Sequence, residues 1–242
     1  MCIRDSDVSD LAIPDEKRYT SPRNITTSYP LPEGPTDNRT HVVMGWLLGR
    51  NSDMRKVMEA RVLSDVLLDN SSSPLRLALE TSDLGTSPSP LCGVDDDTRE
   101  MGFAAGMEGT EPERAEEVEA LILGVLKEVA EKGVPKEAVM SVLHQLELSQ
   151  REVTGDGFPY GLQLSLRALT PALHGGDPVT SLEIDDLLAQ VRQDAEDPQF
   201  IPRLIRELLL DNPHRIRLTM ACLLYTSPSP RDATLSRMPS SA

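Results

Sequence analysis

Apolar residues recur along this chain with two different periods, and these periods predict where strands and helices lie. A continuous apolar run over residues 40–48 (THVVMGWLL), β-branched at its start, predicts a buried strand. Residues 215–220 (RIRLTM) alternate between charged and apolar positions and predict a final strand. Between them, residues 86–94 and 99–107 predict a β-hairpin.

The clearest helical pattern follows this hairpin. Thr110 to Glu113 reads T-E-P-E and predicts a capping box, and Gly133 predicts the end of the helix. The apolar positions of this helix recur at helical spacing, and we expect them to pack on the sheet as core: Val118, Leu121, Ile122, Val125, Leu126 and Val129. Other helical patterns cover residues 52–68, 158–173, 180–194 and 198–211, with two more that begin at Ser73 and Pro135. The order of elements predicts an α+β fold, an antiparallel sheet with helices packed on one face.

The two ends of the chain differ from the rest. Residues 1–6 (MCIRDS) and 221–242 resemble translated sequencing-adaptor stretches, and the second lacks apolar periodicity, so we expect it to be disordered. Residues 7–37, with five prolines from Pro14 to Pro35, predict an extended linker. Residues 38–220 are then expected to form one domain.

Composition narrows the possible functions. The net charge of −15 and the absence of a basic patch argue against nucleic-acid binding, whereas a basic peptide would be attracted. The same acidity is also typical of ordinary solubility. Cys92 is the one cysteine between the adaptor-like ends, so neither a disulfide nor a thiolate zinc site is predicted. No apolar run approaches the roughly 18 residues of a membrane span, and we expect a soluble protein of the cytoplasm or an organelle matrix.

The histidines provide the only near match to a zinc motif. They are His41, His144, His174 and His214. Residues 144–148 read H-Q-L-E-L, whereas the inverted zinc-peptidase motif is H-x-x-E-H on a helix. Leu148 has no lone pair to give a metal, and His144 with Glu147 is too small a ligand set. We therefore interpret His144, Glu147 and Arg151 as a solvated or ion-paired cluster.

Other candidate sites have simpler interpretations. Asp95–Asp97 lacks the spacing of a calcium loop and predicts a charged turn. Gly175, after His174, is typical of a helix end, and Trp46 in a predicted strand is more often core than a ligand platform. Neither a G-x-S-x-G elbow nor a phosphate-binding G-x-x-x-x-G-K-[ST] loop is present. We predict no catalytic, cofactor-binding or metal-ligating residue in this chain.

Four stretches in this order carry a resemblance to a known family: LLDNSSSPLRLALETSDLG (67–85), VLHQLELSQRE (142–152), HGGDPV (174–179) and NPHRIRLTM (212–220). They resemble the presequence-protease branch of the pitrilysin/insulinase zinc metallopeptidases, and the match covers most of residues 40–220. Members of that family have four similar α+β domains in two halves that close around an unfolded peptide. The first domain carries H-x-x-E-H, and this chain resembles the second, which lacks zinc.

The resemblance implies that residues 38–220 support a catalytic domain and form part of a chamber wall. The parent protein would be a zinc metalloendopeptidase that degrades short unfolded peptides, with zinc in the missing first domain. Its partners would be the neighbouring domains and the peptide, without nucleic acid or membrane. Two alternatives stay open: a non-catalytic family member that acts as an assembly subunit, and a free-standing binding module.

Overall fold

The computed structural model describes residues 13–31, 35–151 and 159–224 of the chain. Its strands are β1 (Arg23–Leu31), β2 (Thr40–Arg50), β3 (Ser87–Pro88), β4 (Gly93–Asp95), β5 (Glu100–Thr110) and β6 (Arg215–Leu224). Its helices are α1 (Met54–Leu68), α2 (Pro74–Thr81), α3 (Ala115–Lys132), α4 (Lys136–Arg151), α5 (Tyr160–Leu173), α6 (Asp185–Asp194) and α7 (Phe200–Ile205). A wider helical turn, Arg206–Leu210, continues α7 toward β6.

The strands form one sheet in the order β1-β6-β2-β5-β3, and β4 also pairs with β5. All pairs are antiparallel except β1 with β6, which run parallel. The long helices cover one face, so the predicted α+β class with an antiparallel sheet under helices is confirmed. The hairpin prediction also holds, although residues 86–94 form two short strands, β3 and β4, rather than one.

The core lies between the sheet and the helices on this covered face. The sheet contributes alternate residues of its two central strands, Val42, Met44, Trp46, Phe103, Ala105 and Met107, and all are buried. The indole N–H of Trp46 donates to the carbonyl oxygen of Leu209 at 2.9 Å. Trp46 is therefore a core residue, with its one polar atom satisfied as burial requires.

Helix α3 supplies the predicted apolar stripe to this core. Val118, Ile122, Leu126 and Val129 are buried, whereas Leu121 and Val125 are only partly buried. The helix ends before Gly133, whose φ of 73° lies in the left-handed region that glycine tolerates best. Four of the six predicted stripe positions are therefore core residues, whereas Leu121 and Val125 lie at the margin of the core.

The predicted capping box at Thr110 is wrong. Thr110 is the last residue of β5 and pairs with Thr40, so its backbone belongs to the sheet and not to a helix. Its buried hydroxyl has no hydrogen-bond partner among the described residues. The chain turns once at Pro112–Arg114, and α3 begins at Ala115.

Two boundaries also differ from the prediction. Residues 23–31, inside the predicted linker, form β1, because their backbone pairs with β6 from Arg23↔Ile216 to Leu31↔Leu224. The last strand passes the predicted end at residue 220, and Cys222 in it is buried. Prolines can occupy such an edge strand since one side of it needs no ladder hydrogen bonds. Residues 1–12 and 225–242, where most of the adaptor-like sequence falls, lie outside the described residues.

Candidate functional site

No helix of the described residues packs on the second face of the sheet, where the side chains form rows across the strands. The pairings place Ile25, Leu218 and Val43 in one row. Thr27, Met220 and His41 form the next row. Paired residues in neighbouring strands point to the same side of a sheet, so these rows together form a surface that we call the open face.

Strand β6 presents its apolar residues to the open face and its arginines to the helices. Ile216 and Leu218 pair with Gly45 and Val43, whereas Arg217 pairs with the buried core residue Met44. Arg217 donates to the carboxylate of Glu119 on α3 at 2.8 Å. In a simple amphipathic strand the apolar side chains face the core. In R-I-R-L-T-M the arginines face the helices, and the apolar side chains face away from the core of this chain.

A groove of about 620 Å³ crosses the open face. Small residues form its floor, because Gly45 pairs with Ala104, and Ala104 in turn pairs with Gly93. A Cβ atom built on Gly45 would meet Ile216 Cγ1 at 3.3 Å, so a larger residue there would crowd the floor. The walls are Tyr19 and His214 on one side and a loop that contains Pro90, Leu91 and Cys92 on the other.

Residues 13–19 precede β1, and Tyr19 at the end of this segment lines the groove. We call the segment the strap. The ring of Tyr19 stacks on that of His214 with centroids 4.0 Å apart. The backbone N–H of Tyr19 donates to Nδ1 of His214 at 3.2 Å, and the Arg23 guanidinium lies over the Tyr19 ring. The strap therefore has a defined seat although the sequence predicts a linker there.

Ion pairs hold the strap to the ends of β2 and β5. Asp15 accepts from Arg50 at 2.9 Å and from Arg99 at 2.7 Å, and these two arginines lower its pKa. The buried carboxylate of Glu100 accepts from the Arg18 side chain and from the Glu16 backbone N–H. A buried carboxylate with two charge-assisted partners is a stronger anchor than an exposed ion pair.

The titratable groups of the groove are unsuited to nucleophilic chemistry. Burial raises the pKa of the Cys92 thiol, which keeps it protonated, and its sulfur contacts the backbone of Gly106. Burial also lowers the pKa of His214, with a further contribution from the Arg18 charge. The contacts of Cys92 are to the Gly106 backbone, and Nδ1 of His214 accepts from the Tyr19 N–H, so neither contact is that of a nucleophile with a general base.

The structure separates the histidines that the sequence singled out. His144 is exposed on α4, and Glu147 forms an ion pair with Arg192 of α6. That pair supports the ion-paired interpretation of Glu147, while the side chain of Arg151 lies outside the described residues. His41 is on the open face, 4.0 Å from the carboxylate of Glu108. His174 follows the last residue of α5.

The aspartate turn pairs with α1. Asp96 accepts from Arg61 at 2.6 Å, and the Asp95 side chain accepts from the backbone N–H of Asp97 at 3.2 Å. These contacts are those of a charged turn. Across the described ranges, no group of three or more His, Cys, Asp or Glu side chains is placed to hold a metal ion. In the same ranges no helix is both long and apolar enough to cross a membrane.

Comparison with known proteins defines the family. The family described as "Peptidase M16 inactive domain" matches residues 6–146, more than half of the 242 residues. The chain belongs to this family. The mitochondrial presequence protease of Xenopus laevis is 30% identical over 213 residues, which cover 87% of this chain and 20% of that protein. The chain thus spans about a fifth of the length of the curated relatives it matches.

Solved structures share the fold. A peptidase M16 inactive domain from Pseudomonas fluorescens matches with a TM-score of 0.60 at 12% identity. The match covers 90% of this chain and 47% of the Pseudomonas chain. The ferredoxin protease FusC, in complex with Arabidopsis ferredoxin, matches with a TM-score of 0.57 at 15% identity over 84% of this chain and 20% of that one. These structures share the fold, while the family match and the presequence-protease relatives confirm the resemblance to pitrilysin/insulinase-type peptidases.

Sequence reasoning missed the residues of the open face. A signal was present, because residues 40–48 are apolar at odd and even positions alike. Such runs are typical of strands covered on both faces, whereas half-exposed strands alternate. The strap had no comparable signal, since Asp15 and Tyr19 meet partners about 35 to 195 residues away in the sequence.

Proposed function

We propose that this chain is the non-catalytic second domain of a zinc metalloendopeptidase that degrades short unfolded peptides. In this proposal residues 38–220, extended by β1 and by the end of β6, support the catalytic domain and form part of the chamber wall. The observation that carries the proposal is the apolar open face on a member of the M16 inactive-domain family. Contiguous exposed apolar surface commonly marks an interface.

The open face needs a cover in the parent protein. Leu218 and Ile216 of β6 are only partly buried here, and Ile25 of β1 is 42% exposed. The glycine and alanine floor of the groove allows another backbone or helix to approach closely. A neighbouring domain of the same polypeptide supplies such a cover without the entropic cost of a separate partner.

Zinc belongs to the first domain of the parent in this proposal. His144 and Glu147 of this chain do not fit a zinc site, because His144 is exposed and the Glu147 carboxylate is paired with Arg192. We expect calorimetry to detect no tight zinc binding by this chain. A roughly stoichiometric site that is lost in His144→Ala would contradict the assignment of zinc to another domain.

The acidic composition suits a peptide substrate with basic residues. A net charge of −15 favours the approach of a cationic, unfolded peptide through long-range attraction. The names of the curated relatives place those proteins in mitochondria or chloroplasts. We include an organelle matrix as the compartment in the proposal, and partners that are neither nucleic acid nor membrane.

The test compares two leucine-to-glutamate changes in the parent polypeptide. Leu218→Glu places a charge on the open face, and Leu77→Glu places one on α2 at a side chain that is 46% exposed. We expect Leu218→Glu to lower peptide cleavage at least about tenfold with zinc content unchanged, because a buried unpaired charge opposes docking of the catalytic domain. Leu77→Glu should retain cleavage.

Two outcomes would contradict the proposal. Unchanged cleavage in Leu218→Glu would show that the open face is not the support surface. If the parent polypeptide has no H-x-x-E-H helix, binds no zinc and cleaves no peptide, the alternative of a non-catalytic assembly subunit would be favoured instead.

A further inference from the structure

Helix α5 carries a second exposed apolar surface. Unlike the open face, it lies on a helix and not on the sheet. Leu162, Leu166, Leu169 and Leu173 lie along one side of it and are between 43% and 70% exposed. Pro171 is the one fully buried residue of the helix. A leucine stripe of this length on one helix is a large apolar area to leave in water.

The spacing of these leucines indicates what covers them. The intervals are four, three and four residues, which is the spacing of the apolar seam in a pair of packed helices. Gly161 and Ser165 lie beside the seam, and the Ser165 hydroxyl donates to the carbonyl oxygen of Gly161 at 2.8 Å. Because these two side chains are small and the serine hydroxyl already has a hydrogen-bond partner, a second helix can approach α5 closely.

A groove of about 640 Å³ runs between α5 and α1 and continues this surface. Three of the leucines line it together with Met54, Val57 and Met58 of α1. Val57 and Met58 are almost completely buried, so the groove has an apolar floor as well as an apolar wall. This geometry is typical of a groove that receives an amphipathic helix.

Polar residues also line the groove, among them Arg61, Asp97 and Arg167. Asn51 is a buried lining residue, and its side-chain oxygen has no hydrogen-bond partner among the described residues. A buried amide oxygen without a partner favours a ligand that brings a donor, so the occupant should carry a hydroxyl, amide or lysine beside its apolar seam.

We propose that this groove receives an amphipathic helix from the part of the parent polypeptide that lies outside this chain. Relatives are about five times longer than the matched segment, so most of such a polypeptide is available to supply the helix. A tethered helix is present at high effective concentration, which a separate partner lacks. The proposal rests on the proposed function only in that this chain is part of a longer polypeptide, and it needs no peptidase activity.

The test asks whether one substitution has different effects in the chain and in the parent. In the 242-residue chain, Leu166→Glu should leave Tm unchanged, because this side chain already faces water. In the parent it should lower the first melting transition by several degrees and increase hydrogen exchange of the α5 amides at least about tenfold. Leu77→Glu, at an exposed leucine of α2, is the matched control and should be neutral in both proteins.

A photo-crosslinking amino acid at Leu169 in the parent identifies the occupant. We expect mass spectrometry to find an intramolecular crosslink to a helical segment outside this chain. Equal exchange of α5 in the chain and the parent, or neutrality of Leu166→Glu in both, would overturn the proposal. So would crosslinks only to a second copy or to added peptide substrate. Loss of cleavage without any of these changes concerns the proposed function and not this groove.

Discussion

The two faces of the sheet are built from the same strands but are stabilised in different ways. On the covered face, Met44 and Phe103 are fully buried under helices of this chain. On the open face, the neighbouring positions Ile216 and Leu218 are apolar yet only partly buried. The strand sequences therefore place apolar residues on a surface that the described part of this chain does not cover.

The largest expected effect tests the covered face. Leu126 of α3 has no exposed surface, so Leu126→Ala should remove buried apolar contacts and leave a cavity. We expect a loss of about 2–5 kcal/mol in the free energy of unfolding. Denaturant titration of the 242-residue chain measures it. A loss below about 1 kcal/mol would show that the helix layer is loosely packed.

Leu218→Ala makes the same chemical change on the open face. Because Leu218 is partly exposed in this chain, we expect a loss of about 1 kcal/mol or less there. If a neighbouring domain covers the open face, the loss in the parent polypeptide should approach the range given for Leu126→Ala. Equal losses of stability in the two proteins would show that no neighbouring domain covers Leu218 in the parent polypeptide.

The fold class could be predicted from the sequence because its determinants are local. The stripe around Ile122 and Leu126 has helical spacing, and the run at residues 40–48 is long and β-branched. The sequence could not predict in the same way which side chains of β6 point toward the helices. The alternation of Arg215 to Met220 fits either orientation, and the choice depends on Glu119 of α3, which pairs with Arg217 from 98 residues away.

The candidate site could be predicted only in its outline. The resemblance indicated a zinc-free support domain, and the positions of the open face follow once the strand pairings are known. The strap and β1 could not be found, since prolines at 22 and 30 and exposed polar residues are equally typical of a linker. Their structure depends on pairing with β6, almost 200 residues later, which no local pattern specifies.

A smaller effect concerns the edge of the sheet that the open face shares with β1. Truncation after Ala221 removes the partners of Tyr29, Pro30 and Leu31, together with buried Cys222. Truncation after Leu224 keeps all of these pairs. We expect the shorter protein to be less stable than the longer one by about 1 kcal/mol, the net value of a few edge contacts. Equal thermal unfolding of the two would show that the end of β6 does not contribute.

The smallest effect is a pH dependence at the end of the groove. Burial lowers the pKa of His214, with Arg18 adding to the effect and with Glu16 and Glu100 opposing it, while Arg23 also lowers it. The unfolded chain, with a pKa near 6.5, therefore binds a proton before the folded chain does. Stability from this group is present above about pH 6.5 and decreases as the pH falls below it. Protonation also removes Nδ1 as the acceptor of the Tyr19 N–H, so the strap should loosen first.

Asp65 of α1 complicates a simple pH titration, because burial raises the pKa of this carboxyl to about 6. Its contribution has the opposite sign, since the folded state retains the proton and stability decreases as the pH rises through this range. The measurement is therefore the difference in unfolding free energy between the original chain and His214→Gln at each pH, in which the Asp65 contribution cancels. We expect this difference to shrink between pH 7 and pH 5, together with faster hydrogen exchange at Tyr19. A difference that is constant with pH would mean that the strap is held by Glu100 and Asp15 and not by His214.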